Sequence, residues 1–93
     1  MQTGDIILIP FPFSELTFSK IRPALVICTT KDRHNDLVLA AISSQVPSNL
    51  TPNEMFLEST KVNKLKANSV LKIDRIFTLK KDLRIASLGK LSS

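Results

Sequence analysis

The sequence predicts a mainly β chain whose antiparallel sheet curls into a small barrel. Short apolar runs rich in β-branched residues recur between polar breaks, at residues 6–9, 24–30 and 37–42. Residues 69–79 alternate along a longer stretch, and no segment sustains a helical period. Ninety-three residues, 43% of them hydrophobic, supply one modest core, which excludes both a second folded domain and a disordered chain. A sheet of five or six strands buries that many apolar side chains most economically by curling on itself.

Each element has a local reason. Residues 6–9 lie between Gly4-Asp5 and Pro10, too short a run for a helix and bounded like a buried strand. Residues 11–20, with Pro12, three Phe and several hydroxyl residues, read as a long loop. Arg22-Pro23 opens the second strand, in which Cys28 reads as a small core residue. Residues 31–36 form a polar connection holding His34, which reads as a solvated turn histidine. The third strand closes on Ser43-Ser44-Gln45, and short polar links between these strands argue an antiparallel meander.

A second loop at 47–53 and a short strand at 55–58 follow. Residues 59–68 allow one helical turn, with Ser59 as the candidate cap and Val62 and Leu65 facing inward. In the stretch 69–79, alternation sets Val70, Ile73, Arg75, Phe77 and Leu79 on one side and Lys72, Asp74, Ile76 and Thr78 on the other. A final strand is expected within 83–91, around Arg84-Ile85-Ala86.

Composition narrows the chemistry. One cysteine excludes an internal disulfide and a cysteine-based zinc site, and one histidine removes most other metal centres. No apolar run approaches the ~18 residues of a membrane span, and no signal peptide is recognisable, so a cytoplasmic protein without a membrane partner is expected. The net charge of +5 is uneven: residues 1–58 carry four basic side chains against six acids, and residues 59–93 nine against two. A basic final third suits a phosphate-rich or acidic partner, and equally a lysine-rich solvated surface.

In an antiparallel meander the start of strand two and the end of strand three share a rim, so Arg22 and Ser43 can meet across twenty residues of chain. A guanidinium beside hydroxyl and amide donors is what a phosphate needs. The same residues also suit a strand-edge arginine capping carbonyls beside a polar turn. Asp74, between Lys72 and Arg75, reads either as a functional carboxylate or as half of an ion pair. Only Gly4 and Gly89 are glycines, so no glycine-rich phosphate loop exists.

The ordered set Gly4-Asp5-Ile6-Ile7-Leu8-Ile9-Pro10-Phe11-Pro12-Phe13, Arg22-Pro23-Ala24, Ser43-Ser44-Gln45, Ser69 to Leu79 and Gly89-Lys90-Leu91 resembles the PemK/MazF family of toxins of bacterial toxin–antitoxin systems. The resemblance covers nearly the whole chain as one domain, residues 1–93. It implies an SH3-like β-barrel, a homodimer, and an endoribonuclease acting on single-stranded RNA without metal or cofactor. It also implies a cognate antitoxin whose acidic tail fills the RNA groove. By the same resemblance Arg22 matches the catalytic arginine, Ser43 falls where the family usually has a threonine hydroxyl, and Asp74 falls at an acid–base position. Gln45 and Lys72 match RNA-binding positions, and Phe13, Glu15, Phe18 and Lys20 of the first loop are the expected base and phosphate contacts.

In this reading Arg22 stabilises charge on the phosphate, Ser43 donates to a non-bridging oxygen, and Asp74 or a substrate group takes the 2′-OH proton, since a guanidinium is a poor base. Requiring a 2′-OH selects RNA over DNA. The chain departs from the pattern in lacking a glycine between residues 14 and 20, in Ser for Thr at 43, and in stopping soon after Leu91, so part of a C-terminal helix is expected to be missing. Two other readings are a catalytically weak barrel that only binds antitoxin or nucleic acid, and a toxin of a protein target such as a topoisomerase.

Overall fold

Six strands form one antiparallel sheet in a computed structural model that describes residues 2–10, 21–31, 36–80, 82 and 86–91. They are β1 (Asp5–Pro10), β2 (Ile21–Thr29), β3 (Leu37–Ser43), β4 (Glu54–Leu57), β5 (Ser69–Leu79) and β6 (Ala86–Lys90). Their order across the sheet is β4-β5-β3-β2-β1-β6. β1, β2 and β3 are therefore the expected meander. The first loop and His34 lie outside the described residues.

Because side chains alternate along a strand, the sheet has two apolar faces. On the first, Ile6, Leu25, Ala40, Ile42, Leu57 and Leu71 pack with Leu65, and Ile27, Leu88 and Leu91 lie against them. All six strands and the β4–β5 connector thus contribute to one cluster. On the second face, Ile7, Ile9, Ala24, Val26, Leu37 and Leu39 pack together, flanked by Phe77 and Leu79. Each buried Ile or Leu contributes roughly 1.5–3 kcal/mol, so these faces account for the fold.

The sheet curls without closing, which corrects the expected barrel. β4 and β6 remain its two edges, with no pairing between them among the described residues. The β4–β5 connector reaches across instead. Val62 O accepts from Lys90 N at 3.0 Å, and a Cβ at Gly89 would overlap the carbonyl oxygens of Val62 and Asn63. Only glycine permits that approach, which explains Gly89 in the sequence. Gly4 has a different reason: its φ of +97° is left-handed, and from there its N donates to Val26 O while its O accepts from Leu91 N.

The connector makes the single helical turn expected, closed by Lys64 N donating to Thr60 O at 2.9 Å. Asn63 Oδ1 accepts from Thr60 N at 3.0 Å, and Thr60 Oγ1 accepts from Asn63 N at 3.1 Å, the reciprocal logic of a capping box. Thr60, not Ser59, is the cap. Ser59 Oγ instead donates to Leu65 O, and its N donates to Asn68 Oδ1. Lys64 ends the turn at φ 57°. Leu65 is buried as expected, but Val62 is 53% exposed, because its carbonyl rather than its side chain meets β6.

Bulges explain two further corrections. On β2, Val26 pairs with Leu39 but Cys28 pairs with Val38, so the alternation breaks at Ile27 and Cys28 is exposed rather than in the core. On β5, Lys72 pairs with Ala41 and Ile76 with Ala40, leaving Ile73, Asp74 and Arg75 without counterparts on β3. An odd number of extra residues flips parity. Phe77 and Leu79 therefore share a face with Val70 and Lys72, and the single alternation expected along residues 69–79 does not hold.

Candidate functional site

The rim formed by the start of β2 and the end of β3 carries the first two site residues. Arg22 pairs with Ile9 across β1, and Ser43 pairs with Val70 across β5. The β2–β3 ladder runs from Thr29↔Leu37 to Ala24↔Ala41, and two further steps in that register bring Arg22 opposite Ser43. Phe56 pairs with Val70 on the far side, so Phe56, Val70 and Ser43 form one row across three strands, and the pair Arg22 and Ile9 lies on its continuation beyond the end of the β2–β3 ladder. Val70 and Ile9 are fully buried, while Arg22 and Ser43 are half-buried. Both residues lie on the second face, at the edge of its apolar floor.

Ser43 is tied to Gln45 through its backbone. Its Oγ accepts from Gln45 N at 3.2 Å, a short-range turn that holds the hydroxyl in one orientation. With a lone pair so occupied, the hydroxyl hydrogen is left to donate outward. The hydrogen bond supplies the orientation that a threonine methyl would otherwise impose. The Gln45 side chain is exposed beside it.

The next row on this face holds Glu54, Lys72, Ala41, Ala24 and Ile7. Lys72 is half-buried and lies diagonally from Ser43, so the structure brings Arg22, Ser43 and Lys72 to one face. Asp74 is exposed at the middle of the β5 bulge, between the counterparts of Ala41 and Ala40 rather than in the row of Ser43. The bulge is held from outside the ladder, by Ile73 N donating to Asn53 O at 2.8 Å. Phe13, Glu15, Phe18 and Lys20 lie outside the described residues. Among the described residues no three His, Cys, Asp or Glu side chains come together as metal ligands, and no helix is long and apolar enough to cross a membrane.

Two residues on this face escaped the sequence reading. Glu54 sits directly opposite Lys72 and accepts from Thr51 N at 3.0 Å, which fixes the turn carrying Asn53. Phe56 lies in the row of Ser43 and is 46% exposed. A four-residue strand shows too little alternation to assign its faces, so neither could be placed before the β4–β5 register was known.

Residues 2–93 match the family described as the PemK-like, MazF-like toxin of type II toxin–antitoxin systems, and the chain belongs to that family. It is accordingly a toxin of such a system, whose partner is an antitoxin. No individual curated protein matches the chain closely enough to add to this.

Proposed function

We propose that the toxin is a sequence-selective endoribonuclease that cuts single-stranded RNA by attack of a ribose 2′-OH on its own phosphate, leaving 2′,3′-cyclic phosphate and 5′-OH ends. The observation that supports the reading is the β2–β3 register, whose continuation two residues past Ala24↔Ala41 leads to Arg22 and Ser43, with the Ser43 oxygen engaged by Gln45 N. Arg22 stabilises the charge that builds on the pentacoordinate phosphate, and Ser43 donates to a non-bridging oxygen. As the 2′-O–P bond forms, the 2′-OH proton passes to Asp74 or to a group of the substrate; the P–O5′ bond breaks, and the leaving 5′-oxygen takes a proton from Arg22, which regains one from solvent. Lys72 and Gln45 hold neighbouring phosphate and base groups, as do Phe13, Glu15, Phe18 and Lys20 of the first loop. No step in this sequence calls for a metal or cofactor.

In the same reading the protein is a single-domain cytoplasmic homodimer, and an acidic antitoxin tail competes with RNA for the basic side chains. Incubation of the purified protein with a long unstructured RNA in EDTA is expected to give fragments with 5′-OH ends. The Arg22→Ala variant is expected to give none. Intact RNA across many sequences, with growth arrest persisting on expression, would sink the nuclease reading in favour of a protein target such as a topoisomerase.

A further inference from the structure

A large aromatic side chain with nearly half its surface in water, on the same row as a hydroxyl, calls for an occupant. Phe56 is 46% exposed, whereas Val70, next to it in the row, is fully buried. Two strand spacings separate Phe56 from Ser43, about 10 Å across the sheet. Its neighbours on this face are the buried Val70 directly across the ladder and the polar Glu54 and Lys72, so the exposed part of the ring stands beside polar side chains. The other exposed apolar residue of β4, Met55, pairs with Leu71 and so belongs to the opposite face.

We infer that Phe56 is a stacking platform for a nucleobase of the single-stranded RNA, set apart from the phosphate held by Arg22 and Ser43. The inference rests on the endoribonuclease reading and extends it to a residue outside the set proposed above. An aromatic face beside an ammonium group is the pairing that single-stranded nucleic acid requires: the ring takes a base and Lys72 takes the adjoining phosphate. Stacking accepts any base, so this subsite adds affinity more than sequence preference. A protein partner seated here would instead have to bury Lys72 and Glu54 together with the ring.

The chain contains no Trp and no Tyr, which makes a direct test available. In Phe56→Trp the new indole is the sole tryptophan, and its emission reports on this position alone. The probe is a labelled, mixed-sequence single strand methylated at every 2′-OH, which binds without being cut; the anisotropy of its label reports binding independently. The expected result is quenching of the indole in step with the anisotropy change. For Phe56→Ala, KM for RNA cleavage is expected to rise roughly 5- to 100-fold with kcat and thermal midpoint unchanged.

Binding with no change in indole emission would overturn the stacking site and leave the nuclease reading standing. Absence of binding by the wild-type protein would overturn both. An emission shift that follows protein concentration without RNA would show a second copy covering Phe56, and would overturn the proposal as well.

Discussion

Ser43 shows how one hydrogen bond can set the role of a hydroxyl. Its oxygen accepts the N–H of Gln45, which fixes the side chain and keeps the hydroxyl hydrogen for donation to a substrate. If that donation is made chiefly in the transition state, Ser43→Ala should lower kcat by about 10²–10³-fold while moving KM little, the loss seen when one oxyanion donor is removed. Ser43→Thr should keep most of the activity. Single-turnover cleavage of a defined RNA would check both. That the start of β2 and the end of β3 share a rim was legible because an antiparallel meander fixes which strand ends lie together. The facing of Phe56 and Glu54 was not, because it depends on the β4–β5 register, which nothing local to residues 54–57 specifies.

Among the elements, β5 departs furthest from its sequence pattern. Its eleven residues face the seven of β3: Ser69 overhangs the end of β3, and the other three surplus residues form a bulge at Ile73, Asp74 and Arg75. The mismatch between those lengths was visible in the sequence; the position of the surplus was not, since each of the three side chains would also suit a regular strand. The bulge takes Asp74 out of the ladder and presents it to solvent. The connector after β4 depends on Asn63, whose Oδ1 accepts from Thr60 N and Leu65 N and whose Nδ2 donates to Glu58 O. Losing three hydrogen bonds from a buried side chain costs on the order of 2–4 kcal/mol. Asn63→Ala should lower the urea midpoint accordingly, and Asn63→Asp, which keeps the acceptor, should lower it less. A buried asparagine in a lysine-rich polar segment gave no sequence signal of its importance.

Across the whole molecule, charge and fold serve different ends. The apolar clusters hold the sheet, while the net charge of +5 sits mainly in the last third of the chain, with Lys72 and Arg75 on β5. If those cations meet phosphates, RNA affinity should fall steeply with salt. Three or four neutralised phosphates would give a log–log slope of roughly −2 to −3 for a single strand. Anisotropy titrations from about 50 to about 200 mM salt would measure it, and a flat response would count against phosphate contacts. The mainly β class and the meander followed from the sequence because they depend on strand-length runs and short links. Incomplete closure did not, because the gap between β4 and β6 is bridged by a turn whose contacts join segments far apart in the chain.

The bond from Leu91 N to Gly4 O, at 2.7 Å, joins the outer ends of two antiparallel neighbours, since Asp5 pairs with Lys90. Tension applied to these two ends therefore acts at one end of the β1–β6 ladder and opens it like a zipper, one rung after another. A sheet loaded in shear must instead break its rungs together. Each rung is worth about 1 kcal/mol net, so the molecule resists heat with its whole core and resists a pull at these ends with little more than one bond at a time.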